Sequence, residues 1–423
     1  RFDTSNPPGD EAACVAFIGE LLDAAGLETR IVARDPARPN LIARLPGEGR
    51  AAPLLLHGHV DVVPAADGEW SHPPFGGTIA DDLVWGRGAL DMKGGFAMLL
   101  CALLRAKAQG ATPPGDVVLA VLSDEEAGGD LGARFLVEQH PELFGGIRYA
   151  IGEFGGFSLE IGGRRFYPVQ VSEKQTCSLR ATVRGPGGHG ALPLRGGAMA
   201  RLARLLGRLD RRRLPVHVTP VTRAMIDSIA GALPFPRGHA LRLLLNPRLT
   251  DRVLDLAGEQ ARAFDALLHN TVNATVVRGG EAVNVIPGAV AVELDGRLLP
   301  GHGPDEMLAE LHSLAGPGLE LEVLRHEPGP PEPDLGLYGT LAATLREADP
   351  DGTPVPMLLP GATDGRHFAR LGIQTYGFLP MRLPSEFRFM KLVHAADERV
   401  PVDALEFGTA AICKVLRRFD RGA

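Results

Sequence analysis

The sequence predicts an α/β protein whose mostly parallel central sheet is interrupted by a smaller α+β domain. Three observations support this prediction. Short apolar runs alternate with helical stretches over the first 150 residues, alternating strand patterns begin near Cys177, and the first pattern resumes after a proline-rich stretch at 328–333. We therefore predict one discontinuous domain of residues 1–175 and 328–423, and an inserted domain of residues 176–327.

The elements of the discontinuous domain follow from the spacing of its apolar residues. Apolar side chains recur at three- and four-residue steps from Cys14 to Ala25, and Gly26 ends this first helix. The other predicted elements are strands at 53–56, 117–122 and 148–151, helices at 94–109 and 132–139, and a C-terminal helix near 405–418. Because strands alternate with helices, we expect parallel strands covered by helices.

The inserted domain has a strand–helix–strand–strand–helix–strand order, which is typical of a split βαβ, ferredoxin-like fold. Its predicted strands are at 179–183, 271–277, 290–294 and 319–324, and its helices are at 198–209 and 304–314. Residues 210–269 form a further, partly helical insertion. Its apolar residues, which are Ile226, Ile229, Leu233, Phe235 and those at 241–245, either pack against one another or line a binding pocket.

Composition and charge narrow the classes of function. The 423 residues include 44 Lys and Arg against 51 Asp and Glu, and the net charge of −7 argues against a nucleic-acid surface. No apolar run approaches the ~18 residues of a membrane span. Four scattered cysteines form no CxxC pair, which excludes a thiolate zinc site and fits a reducing compartment. Since no signal peptide is visible, we expect a cytoplasmic protein.

Acidic and imidazole side chains follow three of the predicted strands and precede one helix. They are His57, His59 and Asp61 after the strand at 53–56, Glu125 and Glu126 after 117–122, Glu153 after 148–151, Asp91 before the helix at 94–109, and His394 far downstream. Each has a plainer explanation, such as a surface histidine pair, a helix N-cap or a solvated acidic loop. Their succession at strand ends favours a metal or proton-transfer site.

The order of these motifs resembles the dinuclear zinc metallohydrolase superfamily of aminoacylase, glutamate carboxypeptidase, acetylornithine deacetylase and succinyl-diaminopimelate desuccinylase. The segments that carry the resemblance are His59-Val60-Asp61, Gly88-Ala89-Leu90-Asp91-Met92-Lys93-Gly94-Gly95, Asp124-Glu125-Glu126, Glu153-Phe154-Gly155-Gly156, Gly187-Gly188-His189, Asn284-Val285-Ile286-Pro287, Asp295-Gly296-Arg297, Gly361-Ala362-Thr363-Asp364 and His394. Glu173-Lys174 and Arg366-His367-Phe368 are similar to the carboxypeptidase S and N-fatty-acyl-amino-acid hydrolase branch.

The resemblance implies a hydrolase that releases a free amino acid from an N-acyl amino acid or from a peptide C-terminus. Alternatives are a dipeptidase or carboxypeptidase without acyl preference, and a non-catalytic member of the family. Two zinc ions, with cobalt or manganese as substitutes, are implied. Asp91 would bridge them, His59 and Glu153 would hold one, and Glu126 and His394 would hold the other.

Further roles are implied by the same resemblance. Glu125 would be the general base and Asp61 would orient His59, whereas His57 has no ligand role. His189 would stabilise the oxyanion, often from the partner subunit of a homodimer, and the inserted domain would serve as lid and dimerisation domain. Arg297, Asn284, Gly361 and Thr363 would bind the substrate, and the alternative for Arg297 is a structural salt bridge. Likeness to the fatty-acyl hydrolases favours a hydrophobic acyl pocket in the insertion. We expect no nucleic-acid partner and no membrane span, on the charge and the apolar runs described above.

Overall fold

The computed structural model describes residues 1–65, 68–258, 262–316 and 318–420. The strands are β1 (Glu28–Val32), β2 (Asn40–Leu45), β3 (Leu54–His59), β4 (Thr78–Ala80), β5 (Leu83–Trp85), β6 (Val117–Leu122), β7 (Tyr149–Gly152), β8 (Leu159–Ile161), β9 (Arg164–Glu173), β10 (Gln175–Arg184), β11 (Gly188–His189), β12 (Thr271–Arg278), β13 (Val285–Ile286), β14 (Ala289–Leu298), β15 (Leu319–Glu327), β16 (Thr353–Leu359), β17 (Gln374–Gly377) and β18 (Arg399–Pro401).

The α-helices are α1 (Ala12–Ala24), α2 (Lys93–Ala108), α3 (Ala133–Gln139), α4 (Ala198–Arg211), α5 (Pro220–Ala232), α6 (Arg237–Arg242), α7 (Thr250–Ala257), α8 (Arg262–Leu268), α9 (Pro304–Ala315), α10 (Tyr338–Ala348), α11 (Gly365–Phe368), α12 (Phe389–Leu392) and α13 (Val402–Leu416). The predicted helices at 94–109, 132–139 and 405–418 correspond to α2, α3 and α13. Over the described ranges, no helix has the length and apolar character that crossing a bilayer requires.

The central sheet is mostly parallel at its middle. Among the described residues its nine strands run in the order β1-β2-β6-β3-β7-β17-β9-β16, with β8 beside β9. Strand β3 is parallel to both β6 and β7, and β17 is parallel to β7. Every residue of β3 and β6 is buried, as expected when helices cover both faces of a parallel sheet. The predicted α/β class is therefore confirmed.

Several strands differ from the sequence prediction. The strand expected at 53–56 continues to His59, so His57 lies inside β3. Strands β1 and β9 were not predicted, because β1 is largely exposed and polar, and β9 begins with two arginines and contains Pro168. Neither strand shows the continuous apolar run that marks β6.

The second sheet is antiparallel, in the order β12-β14-β10-β15. The expected pairing of strands near 271–277 and 290–294 is confirmed by the ladder between β12 and β14. Buried residues alternate along β10 and β14, and those buried side chains pack under α4 and α9. The chain passes from the central sheet to this sheet at Lys174 and leaves it after Glu327.

The insertion at 210–269 packs against the central sheet. Val221, Met225 and Ile229 of α5 belong to the core of that sheet, and α5 contacts β9 and β16. Ile226 is instead buried in a small core among the insertion's own helices, whereas Phe235 is 84 % exposed.

These positions bear on the expected acyl pocket. Leu244 is buried with Ile226, Leu233 packs against the main core, and Leu243 is exposed to solvent. None of these side chains is among those that line the cavity beside Glu125. Ile226, Leu233 and Leu244 are therefore used for packing, whereas Phe235 and Leu243 are exposed, and the hydrophobic acyl pocket in the insertion stays a prediction.

Lys174 lies where the chain passes from the central sheet to the second sheet, and its side chain is hydrogen-bonded to the end of the insertion. Its side chain is buried, and its Nζ donates to the carbonyls of Ala266 and His269 and to the Thr271 hydroxyl, at 2.9–3.1 Å. The three acceptors are neutral oxygens. Burial, followed by the charge of Arg297, lowers the pKa of Lys174 to about 7.

Candidate active site

The carboxyl ends of three adjacent strands bring the candidate ligands together. His59 is the last residue of β3, Glu125 and Glu126 lie in a short 3-10 turn after β6, and Glu153 directly follows β7. Because β3 is parallel to both neighbours, these ends meet at one edge of the sheet.

Asp91 lies between two imidazoles. Its Oδ1 is 3.2 Å from His59 Nε2, and its Oδ2 is 3.2 Å from His394 Nε2. The alternative that Asp91 caps α2 is not observed, since Met92 holds the N-cap position and no side chain caps the helix there. Each carboxylate oxygen of Asp91 therefore faces a different histidine.

The remaining acids complete two neighbouring groups of ligand atoms. Glu153 Oε2 lies 3.4 Å from His59 Nε2, and Glu126 Oε1 lies 3.3 Å from His394 Nε2. The ligand atoms of His59, Glu125 and Glu153 lie within 4.8 Å of one another, as do those of His59, Asp91 and Glu126. Glu125 Oε2 is 4.0 Å from His59 Nε2. Imidazole and carboxylate donors without thiolates are the set found in catalytic zinc sites.

The electrostatics of this cluster favour bound cations. Burial raises the pKa of Glu125 well above its usual value, and the Glu153 carboxylate raises it further. Burial also raises the pKa of Glu153. Hydrogen bonds to Asp91 and Glu126 raise the pKa of His394 to about 10. Buried carboxylates outnumber the imidazoles here, and divalent cations would offset their mutual repulsion.

Asp61 holds the turn that carries the two glutamates. Its carboxylate accepts hydrogen bonds from the amides of Glu125 and Glu126, each at 3.1 Å, and from Asn6 Nδ2 at 2.9 Å. His59 Nδ1 is 2.9 Å from the main-chain oxygen of Asp61 and 3.5 Å from its carboxylate. Asp61 therefore contacts His59 mainly through its backbone.

Several supporting residues were missed from the sequence. Arg38 bonds to Glu11 and lies 3.0 Å from Asp124, whose carboxylate also accepts from Asn6. Glu398 likewise forms an ion pair with Arg87, next to the loop that carries Asp91. No local sequence pattern links Arg87 to Glu398, because the two residues lie 311 positions apart.

His57 lies apart from the ligand groups found among the described residues. Its ring centroid is 4.8 Å from that of Phe368. Burial lowers the pKa of His57 to about 3, so the imidazole is neutral near pH 7. That His57 has no ligand role stays a prediction.

A polar cavity of about 310 Å³ lies beside the glutamates and reaches the second sheet. It is lined by Glu125, Glu126, Gly128, Thr176, Ser178, Arg297, Arg325, Glu327, Ala362 and Arg366. Arg297 is held by Asp295, with Nε 2.9 Å from Oδ1 and Nη2 3.1 Å from Oδ2. The structure thus brings Arg297 to the candidate site.

The other predicted substrate residues are placed differently. Thr363 is buried, and its hydroxyl donates to Glu173 at 2.8 Å and accepts from the Gly365 amide at 3.0 Å. Gly361 is half-buried and is not among the residues that line the cavity. The substrate roles of Gly361 and Thr363 stay predictions.

His189 and Asn284 lie together at a small two-stranded sheet of β11 and β13, which is separate from the four-stranded sheet. Strand β11, which contains His189, pairs with β13, and the Gly190 amide donates to the Asn284 carbonyl at 2.8 Å. Both side chains are exposed, and neither lines the cavity. Within one chain, the fold brings these two residues to each other and away from the cavity.

The sequence pattern of peptidase family M20/M25/M40 matches residues 55–418, which include all the candidate ligands. The chain belongs to this family. It is therefore a hydrolase of amide or peptide bonds from a metallopeptidase family.

Relatives and solved structures agree with this assignment. The chain is 27 % identical to probable carboxypeptidase S-like 2 of Dictyostelium discoideum over 83 % of its length and 68 % of the relative. It is 28 % identical to the human N-fatty-acyl-amino acid synthase/hydrolase PM20D1 (87 % of this chain and 74 % of that protein) and 28 % identical to human aminoacylase-1 (95 % and 88 %).

Two solved structures share the fold. An M20 metallo-carboxypeptidase from Sulfolobus solfataricus superposes with a TM-score of 0.67 at 16 % identity, covering 99 % of this chain and 96 % of the other. A dinuclear metal-binding M20 peptidase from Bacillus subtilis gives 0.57 at 13 % identity, covering 96 % and 91 %.

Proposed function

We propose that this M20 hydrolase binds two zinc ions and releases a free amino acid from a short-chain N-acyl amino acid or from a peptide C-terminus. The observation that carries the proposal is the position of Asp91, whose two carboxylate oxygens face His59 and His394 at 3.2 Å. One carboxylate between two imidazoles suits a ligand shared by two ions.

The remaining metal ligands are assigned by their neighbours. His59 and Glu153 would hold one ion, and Glu126 and His394 would hold the other. The donor set suits zinc, and cobalt or manganese could substitute for it. When bound, the ions supply Lewis acidity that polarises a carbonyl and lowers the pKa of water.

Glu125 is proposed as the general base. Its carboxylate takes a proton from the attacking water and passes it to the leaving nitrogen as the C–N bond breaks. Burial raises its pKa, which favours proton uptake, and its Oε2 lies 4.0 Å from His59 Nε2. Glu126, rather than Glu125, lies beside His394, which supports the division of roles between the two glutamates.

The substrate is proposed to be short and polar where it meets the second sheet. Arg297 presents a planar guanidinium toward the cavity, a geometry that suits a substrate carboxylate. On the same face of that sheet, Arg180 pairs with Glu293 and Glu322. Such a charged surface disfavours a long apolar acyl chain.

The two predicted domains would have different roles in catalysis. Residues 1–175 and 328–423 would hold the metals and the base, and residues 176–327 would cover the substrate. We further propose a homodimer in which His189 and Asn284 of one subunit reach the site of the other, since both are exposed within one chain. The cytoplasmic location stays a prediction.

The experiment measures zinc content and amino-acid release together. The purified protein is assayed against N-acetyl amino acids and dipeptides, with Glu125→Gln as the matched control. Release by the wild type but not by the variant, at equal zinc content, supports the proposal. A zinc-loaded wild type that hydrolyses neither class would favour the non-catalytic alternative.

A further inference from the structure

The Arg366 side chain lies beside Glu125 and comes from the short helix that follows β16. Arg366 belongs to α11, and its side chain is 11 % exposed. Its Nη1 donates to the Thr363 carbonyl at 2.8 Å, and its Nη2 donates to the Gly128 carbonyl at 3.1 Å. These two bonds fix the guanidinium plane with Nη1 3.6 Å from Glu125 Oε1.

The opposite edge of the same guanidinium contacts the inserted domain. Arg366 Nε lies 2.9 Å from Oε2 of Glu327, the last residue of β15. Glu327 also pairs with Arg325 and accepts from the Thr176 hydroxyl at 3.3 Å. Arg325 in turn lies 3.4 Å from Asp130, in the loop after Glu125 and Glu126. A chain of alternating charges therefore crosses the cavity.

We propose that Arg366 is a positioning residue that holds the Glu125 carboxylate and couples it to the inserted domain through Glu327. The proposal rests on the proposed role of Glu125 as general base. Guanidinium donors lie in a rigid fork, so an arginine fixed by two carbonyls orients a carboxylate better than a flexible ammonium does. Because Glu327 and Arg366 belong to different predicted domains, their contact joins the inserted domain to the site.

The kinetic test compares Arg366→Ala, Arg366→Lys, Glu327→Gln and the double variant Arg366→Ala/Glu327→Gln with the wild type. Arg184→Ala is the matched control, because Arg184 pairs with Glu320 on the exposed part of β10 and β15. We expect Arg366→Ala to lower kcat about 10- to 100-fold with little change in KM, as misplacement of a catalytic group does. Lysine should restore part of the loss, and the double variant should be no slower than Arg366→Ala.

Zinc content and amide hydrogen exchange of the substrate-free protein give a readout that is independent of activity. Zinc content should not change, and amides at 125–129, which bond to Asp61, Asp124 and Glu125, should exchange faster in Arg366→Ala and Glu327→Gln than in Arg184→Ala. If the wild type hydrolyses nothing, the proposed function fails, while the exchange result still tests the coupling.

Three outcomes would overturn the inference. One is a kcat of Arg366→Ala within about twofold of the wild type. Another is a raised KM at unchanged kcat, which would make Arg366 a substrate ligand. The third is exchange at 125–129 equal to that of the control. Should Arg366→Ala not fold, Arg366→Lys and Glu327→Gln carry the same comparison.

Discussion

Arg87 and Glu398 form a buried ion pair, with Nη1 2.7 Å from Oε2, that joins the loops carrying two of the proposed metal ligands. The Glu398 carboxylate also accepts hydrogen bonds from the amides of Leu90 and Asp91, at 2.7 and 3.1 Å. Arg87 Nη2 donates to the carbonyl of His394 at 3.2 Å. One pair therefore fixes the backbone on both sides of the centre.

Replacing Glu398 by Gln should weaken both stability and metal binding. The change leaves the buried Arg87 without its counter-charge, and breaking such a pair costs about 3–5 kcal/mol. Loss of a group that supports a ligand typically lowers metal affinity about 10- to 100-fold. Urea unfolding and zinc titration measure the two effects. The exposed Glu386→Gln is the control. Unchanged zinc affinity in Glu398→Gln would contradict the expectation.

The two adjacent glutamates should respond differently to the same substitution. Glu125→Gln is expected to keep both zinc ions and lose about 10²–10⁴-fold in kcat, since an amide cannot accept the proton. Glu126→Gln is expected to lose zinc, because it removes a proposed ligand. Zinc content and turnover are measured for both variants. If Glu125→Gln loses zinc while Glu126→Gln keeps it, the two roles are reversed.

Substrates with longer acyl chains should not have a higher kcat/KM than substrates with shorter ones. A hydrophobic pocket would add about 0.8 kcal/mol for each buried methylene, but Ile226 and Ile229 are buried in packing. We expect a flat or falling series for one amino acid carrying acetyl, butyryl, octanoyl and lauroyl groups. A several-fold rise in kcat/KM per added carbon would contradict this expectation and would indicate an acyl pocket elsewhere in the protein.

The buried Lys174 should make stability depend on pH. Its pKa is lowered to about 7 in the folded state from 10.5, so between these values the unfolded chain binds more protons. The free energy of unfolding of the wild type should therefore rise with pH relative to Lys174→Met from pH 7 to about 10. Below pH 7 the difference should be constant. The exposed Lys391→Met is the control, and parallel curves for both variants would contradict the expectation.

Assembly can be tested through His189. If the partner subunit supplies this imidazole, His189→Ala should lower kcat while zinc content stays unchanged. Mixing His189→Ala with Glu125→Gln subunits should restore part of the activity, because one hybrid site then contains both groups. Light scattering gives the oligomeric state, and a fully active monomer would remove both the dimer and this role of His189.

The sequence predicts the residues that follow apolar strands better than it predicts their supports. The run at 117–122 is continuous and apolar, the run at 148–151 is apolar after Arg148, and both correctly place Glu125, Glu126 and Glu153 at strand ends. Glu398 and Arg38 could not be predicted, because their partners lie far away in the chain and depend on the tertiary fold. The role of the insertion's apolar residues could not be predicted for a related reason. An apolar side chain gives the same sequence pattern whether it lines a pocket or packs on a sheet.

The packing of α5 against β16 has a consequence for synthesis of the chain. Val221, Met225 and Ile229 emerge from the ribosome well before Thr353–Leu359, the strand they help to cover. Until that strand arrives, an apolar helix face stays open to water and to other nascent chains. A chain shortened by removing 210–269 would instead lose the cover that α5 gives to β16, the outermost strand of the central sheet. We expect this shortened chain to aggregate, although it keeps the residues proposed to bind metal and to act as the base.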